Sequence, residues 1–344
     1  LQDPAALASL GWSNLFLSQL GETDIAQHPV RVAGVHRTRL DGLSADGPLS
    51  LPFTGAQAAG DFAVGDWVLW DGARITRRLD RMTELRRRGA GGEEQLIAAN
   101  VDTLFIVTSC NADFNPARLE RYLALAAEAG TEAVVLLTKA DGCADPEGYR
   151  LRAGRLRRGL EVLALDARAP AVAMALAPWC RAGRTVALAG SSGVGKTTLT
   201  NTLTGQDGAT APIREDDARG RHTTTARSLQ PMVAGGWLID TPGMRALALA
   251  DAGDGIDAVF ADVVGLAAQC RFRDCAHQGE PGCEVRQAVA DGRLDAGRVT
   301  RWEKLKREDR FQAMSPEDIR ERQRKFGKHI RKSLARKFSR DGRG

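Results

Sequence analysis

Three textures of apolar spacing divide the chain. From His28 to about Ala98, apolar residues fall in short alternating runs, Val30 to Val35, Leu49 to Phe53, Asp66 to Trp70 and Arg74 to Leu79, separated by Gly and Asp. Period-two alternation with regular turn signals predicts a small β-barrel of the five-stranded OB-fold type. Near Asn100 the runs become continuous: Leu104 to Thr108 and Ala133 to Leu137 read as buried strands, with Pro116 to Ala129 as the helix between them. That alternation predicts an α/β unit with a parallel sheet, in which ligands lie beyond the strand C-terminal ends. Residues 1–27 hold one apolar segment, Ala6 to Leu20, with Trp12 and Phe16 at helical spacing, and read as a short N-terminal helix or extension. Arg293 to Arg307 reads as helix, and Ser315-Pro316-Glu317-Asp318 carries the signals of another helix start. The expected organisation is multidomain: extension 1–27, barrel 28–98, α/β unit 99–258 and C-terminal region 259–344.

The α/β unit contains Val186-Ala187-Leu188-Ala189-Gly190-Ser191-Ser192-Gly193-Val194-Gly195-Lys196-Thr197-Thr198, a strand that breaks into a glycine-rich loop and then a helix. The spacing from Gly190 to Thr197 fits the phosphate-loop pattern. Glycines let the backbone curl so that its N–H groups approach phosphate oxygens, and the helix start points its positive dipole end at the anion. Lys196 supplies a cation for the outer phosphates and Thr197 a hydroxyl for Mg²⁺. A glycine turn that binds nothing is the bland alternative. Gly205 is the expected C-cap of the helix.

At the end of the second buried strand stands Thr138-Lys139-Ala140-Asp141, which resembles the guanine-specificity box of GTPases. A carboxylate there accepts from the two donors of the guanine edge, whereas adenine lacks that pair. An ordinary solvated loop is the other reading. Thr138 stands where Asn is commoner, and its shorter hydroxyl predicts some loss of loop bracing. After the strand Val162 to Leu165, Asp166-Ala167 sits where GTPases often have Ser-Ala, a candidate backbone contact to the base. A further strand ends in Asp240-Thr241-Pro242-Gly243: Asp240 is the second Mg²⁺ candidate, and the Gly243 N–H would sense the γ-phosphate. Between loop and strand lies Arg219-Gly220-Arg221-His222-Thr223-Thr224-Thr225, whose hydroxyls, Thr224 among them, are candidates for the same phosphate end. The guanine box precedes the phosphate loop, the reverse of the usual order, so the nucleotide domain is circularly permuted.

Six cysteines in 344 residues are too few for a disulfide scaffold. Cys270, Cys275, His277 and Cys283 form C-x4-C-x-H-x5-C, three thiolates and an imidazole spaced to close around one zinc ion per chain, with no open position for catalysis. Three reduced cysteines beside a surface histidine are the alternative. Cys110, Cys143 and Cys180 are scattered and read as packing residues. The net charge is +5, with basic residues crowded beyond Arg301, which favours an anionic partner, nucleic acid first. Arg77, Arg78, Arg81 and Arg86 to Arg88 add positive charge to the barrel, where RNA contact competes with a solvated loop. The basic tail, with Phe326, Ile330, Leu334 and Phe338 spaced by four, suits docking on RNA or protein; a solvated tail is the alternative. No apolar run reaches the roughly 20 residues of a membrane helix and no signal pattern opens the chain. The expected location is the cytoplasm.

The permuted order, the N-terminal barrel and the cysteine cluster together resemble one family, the small-ribosomal-subunit-dependent GTPases RsgA/YjeQ, over roughly His28 to Val285. Gly220-Arg221-His222-Thr223-Thr224-Thr225 and Phe272 to Cys283 are the most specific pieces. The resemblance implies GTP hydrolysis by a late assembly and checkpoint factor of the small subunit, with that subunit and its rRNA as partners and the chain expected to be monomeric. Met244 follows Gly243 where GTPases commonly place a water-orienting Gln. His222 is therefore the candidate catalytic group alongside Lys196 and Thr197; a structural or phosphate-contact role is its other reading. The competing function is an RNA-binding assembly protein in which nucleotide only locks a conformation. A P-loop ATPase or small-molecule kinase is disfavoured by the guanine-type box.

Overall fold

The structure, a computed structural model, describes residues 3–88, 94–206, 228–240 and 252–312. The first strands are antiparallel: β1 (His28–Val35), β2 (Arg39–Ser44), β3 (Gly47–Pro52), β4 (Trp67–Trp70) and β5 (Ile75–Arg78), bonded in the order β3-β2-β1-β4-β5. Their alternating inward residues, Val30, Val32, Leu40, Leu51, Val68 and Ile75, form one core with Phe62. Strand β2 escapes the alternation pattern because it holds only Leu40 and Leu43, yet it is the centre of the β1–β3 meander. A separate hairpin, β6 (Glu84–Arg88) and β7 (Glu94–Ala99), follows and leads into the α/β sheet.

That sheet contains β8 (Thr103–Ser109), β9 (Glu132–Thr138), β10 (Glu161–Ala164), β11 (Thr185–Ala189), β12 (Ser228–Pro231) and β13 (Trp237–Asp240), ordered β10-β9-β8-β11-β13-β12. All neighbours are parallel except β12, which runs antiparallel to β13 and joins β1 at Gly34↔Ser228, making one continuous sheet of 11 strands with the antiparallel unit. The continuous apolar runs have a simple cause: both faces are covered. Leu104 and Ile106 face one core with Leu123 and Val135, while Phe105 and Val107 face the other with Val134, Val186 and Leu199.

The N-terminal segment forms two short helices, Pro4–Ser9 and Asn14–Leu17, in place of one. The break falls at Gly11, whose φ is +94° and whose added Cβ would lie 2.6 Å from Arg31 Nη1. Leu7, Leu10 and Phe16 pack on Trp67, Leu69 and Leu79, so the extension is part of the core. Beneath it, buried Arg31 donates to Leu10 O, to Thr185 Oγ1 at 2.6 Å and to Asn100 O at 3.4 Å. One guanidinium thus joins the extension, β1 and the base of β11, and burial pushes its pKa down to about 10.

The segment 252–312 packs as helices Gly253–Val259, Ala261–Ala267, Glu284–Ala290 and Ala296–Gln312 on the helix Pro116–Glu128. Charge pins it there. Fully buried Glu120 accepts from Arg298 Nη1 at 3.1 Å and Arg301 Nε at 2.7 Å, and Arg298 also donates to Asp262 at 2.7 and 2.8 Å. The Ser315 helix start and basic tail lie outside the described residues.

Candidate functional site

Strand order decides where the site lies. The chain moves from β8 outward to β9 and β10, then returns to the other side of β8 with β11, so the order reverses between β8 and β11. Loops after adjacent parallel strands diverge at such a point and leave a crevice. The phosphate loop springs from β11 at that place. Gly190, with φ +147°, lies so close to β8 that a Cβ would sit 2.2 Å from Val107 O, which excludes any other residue. Gly193 and Gly195 also have positive φ, at +77° and +95°. The helix Lys196–Thr204, which includes Thr197 and Thr198, begins at Gly195 and ends at Gly205 as expected, with Leu199 and Leu203 buried beneath it. Lys196 Nζ donates to Gly190 O at 2.7 Å and to Ser191 O, holding its ammonium across the loop. Ser192 remains at the exposed crest.

The guanine box meets this loop directly. Thr138 is buried at the end of β9, and its hydroxyl donates to Val194 O at 2.6 Å or to Thr108 O at 3.1 Å. The expected loss of bracing is therefore corrected: the close approach of Gly195 to Thr138 lets a short hydroxyl span the gap. Lys139 follows with φ +57°, a left-handed backbone that turns the chain sharply into the Ala140–Gly142 turn. Ala140 N–H donates to Leu165 O at 3.4 Å, and Thr202 Oγ1 donates to Ala167 O at 2.7 Å. Four segments of sequence, around 138–141, 165–168, 190–197 and 202, are thereby laced together.

Two arginines enter that sequence reasoning passes over. Arg118, in the first turn of helix Pro116–Glu128, donates to Ser191 Oγ. Arg168 donates from Nη2 to Asp141 Oδ2 at 2.6 Å, and from its backbone N–H and Nε to Asp166 Oδ1 at 3.0 Å each. Arg168 holds the Asp166 carboxyl below its usual range, through the side-chain bond first and the backbone bond second. Position was the available signal for Arg168, which directly follows Asp166-Ala167.

Parallel pairing of β13 with β11, in register Ala187↔Ile239, carries Asp240 to the edge from which the phosphate loop rises. The Asp240 side chain and His222, Thr224, Gly243 and Met244 lie outside the described residues.

Around 270–283 the ligand atoms of Cys270, Cys275, His277 and Cys283 all lie within 4.8 Å of one another. His277 Nδ1 is 3.7 Å from Cys270 Sγ and 3.5 Å from Cys283 Sγ. A tetrahedral ion with ordinary zinc bond lengths places S and N about 3.6 Å apart, so the group fits a metal ion of that kind. Glu280 braces the loop, accepting from the N–H groups of Ala276, Gln278 and Gly279 at 2.9, 2.9 and 3.0 Å. The ring of Trp302 lies 5.6 Å from that of His277, so the helix Ala296–Gln312 covers the cluster.

The scattered cysteines are partly regrouped. Cys110 and Cys180 are buried, as packing residues should be, and burial pushes their thiols up to about 11 and 12. Cys143 packs against the core that contains Cys110. On the basic face of the barrel, three of the arginines have partners within the chain. Arg81, with a side chain only 6% exposed, clamps buried Asp66 at 2.6 and 2.9 Å, Arg77 pairs with Asp24 at 2.6 Å, and Arg86 pairs with Glu84 at 2.5 Å. Arg81 is thereby part of the fold, while Arg77 and Arg86 are paired but still face solvent.

The family model for the RsgA GTPase matches residues 78–250. A protein of Mesorhizobium japonicum named small ribosomal subunit biogenesis GTPase RsgA is 57% identical over 311 residues, covering 88% of this chain and 90% of that protein. A Vibrio vulnificus protein named small ribosomal subunit biogenesis GTPase RsgA 2 is 47% identical, with 95% of each covered. Among solved structures, YjeQ from Thermotoga maritima superposes with a TM-score of 0.60 at 21% identity, over 81% of this chain and 97% of that one. YloQ, described as a circularly permuted GTPase, gives 0.58 at 22% identity, over 84% and 97%. The two structures speak to the fold alone, and the family match together with the identity to the two sequence relatives makes this chain a member of the RsgA GTPase family.

Proposed function

We propose that the chain hydrolyses GTP as a late assembly and checkpoint factor of the small ribosomal subunit, with turnover stimulated by that subunit. The observation that supports the nucleotide reading is the bond from Thr138 to Val194, which brings the 138–141 turn against the phosphate-loop segment, close enough for one nucleotide to span both. Asp141 accepts from the guanine edge, and the backbone at Asp166-Ala167 lies beside the base. Gly190 to Thr198 surround the phosphates, with Lys196 offsetting charge on the outer ones. Thr197 and Asp240 would hold Mg²⁺, which when bound offsets the charge that builds on the phosphate oxygens. Gly243 and Thr224 sense the third phosphate. With Met244 unable to orient water, His222 takes that role when the small subunit is bound. The Cys270, Cys275, His277 and Cys283 group would hold one zinc ion, which supplies folding free energy to a loop short of apolar residues.

The order β3-β2-β1-β4-β5 supports an OB-type barrel. Among the described residues no helix is long and apolar enough to cross a membrane. A cytoplasmic monomer with the small subunit and its rRNA as partners is the reading we adopt.

Phosphate release from GTP, measured with and without purified small subunits, tests this. Subunits should raise turnover strongly, and His222→Ala should remove most of the rise while GTP affinity is kept. Binding without stimulated turnover would refute the enzymatic reading in favour of a conformational lock, and equal stimulation of both proteins would remove His222 from the mechanism.

A further inference from the structure

The base end of the site carries two carboxylates, Asp141 and Asp166, where Ser-Ala is the commoner pair after the neighbouring strand. A serine hydroxyl can donate to an adjacent carboxylate. An aspartate cannot, and it sets a second negative charge beside the first. Arg168 lies against both. Its Nη2 reaches Asp141 Oδ2 at 2.6 Å, its Nε reaches Asp166 Oδ1 at 3.0 Å, and Nη2 is 3.3 Å from Asp166 Oδ2. Asp166 in turn fixes the arginine from two sides, because the backbone N–H of Arg168 donates to the same Oδ1 at 3.0 Å.

We propose that Arg168 is a positioning residue for guanine: held by Asp166, it orients the Asp141 carboxylate for the base and supplies the donor that Asp166 cannot. The inference rests on the guanine reading of Asp141. Each carboxylate oxygen has two lone pairs, so Asp141 can keep Arg168 and still accept from both donors of the guanine edge. The guanidinium suits the task better than an ammonium because its planar fork addresses two carboxylates in fixed directions. It also offsets negative charge near a polyanionic ligand. The side chain of Arg168 is 69% exposed, so solvent screens the contact and the effect is moderate.

The test is equilibrium binding of fluorescently labelled GDP to the full chain, with GDP, inosine diphosphate and xanthosine diphosphate as competitors, at low and high salt. Arg168→Ala should weaken GDP about 3- to 10-fold, most at low salt. Arg168→Lys should recover only part of this. Asp166→Ser combined with Arg168→Ala should return affinity to within about twofold of the native protein, since the serine restores a donor and removes the extra charge. A purely structural role for Arg168 predicts no such rescue. Asp141→Asn separates the two levels. If it fails to move preference from guanosine towards xanthosine diphosphate, the guanine reading falls and this inference with it. If preference moves but Arg168→Ala binds GDP like the native protein, or the serine gives no recovery, the role of Arg168 alone is overturned.

Discussion

Removing the carboxylate of Glu120 should release the C-terminal unit from the nucleotide domain. Glu120 has no exposed surface, and each of its oxygens takes one arginine, Arg298 at 3.1 Å and Arg301 at 2.7 Å. Burial raises its carboxyl pKa, and the pull of Arg301 and Arg298 in the other direction does not overcome that. The network is therefore expensive to assemble and more expensive to break. Taking one partner from a buried pair costs about 3 to 5 kcal/mol, because the remaining charge stays buried. Arg298 keeps its two bonds to Asp262, and Arg301 keeps Asp295 at 3.7 Å, which places Glu120→Ala at the lower end, about 3 kcal/mol. Glu120→Gln retains the shape and one acceptor but turns an amide donor towards a guanidinium; about 1 to 2 kcal/mol is expected.

Global unfolding of a chain with several units is a poor readout. Amide hydrogen exchange in the helix Ala296–Gln312 reports detachment locally. A loss of about 3 kcal/mol speeds exchange there roughly 100-fold where reclosing is faster than exchange from the open state, while amides of β1 to β5 keep their rates. Exchange within about threefold of the native protein in Glu120→Ala would refute the argument that the buried pair holds this unit in place.

Three other outcomes follow from named contacts. Thr138→Val keeps the shape but leaves Val194 O without its donor, so GTP affinity should fall about fivefold, or about 1 kcal/mol, with Thr138→Asn closer to the native value in the same titration. Arg31→Met strips the side-chain donor that reaches both Leu10 O and Thr185 Oγ1; about 2 kcal/mol should be lost at the junction, read as earlier proteolytic cleavage near residue 11. Glu280 has its pKa depressed to about 2 by backbone N–H bonds, those of Gly279, Glu280 and Ala276 foremost. A depressed carboxyl stabilises above its unfolded pKa near 4.5, and that stabilisation disappears as pH falls through about 2. Zinc transfer from the native protein to a chelator should therefore be slower than from Glu280→Gln by a constant ratio between pH 5 and 8; a ratio that closes towards pH 5 would contradict the bracing role.

Local signals carried most of the fold and the heart of the site. The phosphate-loop pattern, the guanine-type box and the Cys3His group each lie within about a dozen residues, so type and spacing make them visible in the sequence. The sheet was legible because β8, β9 and β11 are buried on both faces and must be apolar throughout. Strand β2 was not, since its place is set by pairing with β1 and β3 and it shows only two leucines in sequence. Arginine misleads for a related reason. A guanidinium that grips Asp66 and one that waits for RNA have the same letter, and only burial of Arg81 at 6% distinguishes them. The bonds of Glu120 to Arg298 and Arg301 span 178 and 181 residues of sequence, a distance at which no pattern announces a partner.

One helix gathers the consequences of the permuted order. Because the chain leaves the nucleotide sheet after β13, the next described residues fold back onto the helix Pro116–Glu128 rather than onto the barrel. That helix offers Arg118 to Ser191 in the phosphate loop, then Glu120 to Arg298 and Arg301, Arg121 to Glu308, and Glu128 to the N–H of Gly255. Thirteen residues of helix span about 20 Å and behave as a stiff rod, so its two sets of contacts cannot shift independently. The unit that carries the Cys3His group is consequently one rigid element away from the glycine-rich loop at 190–197.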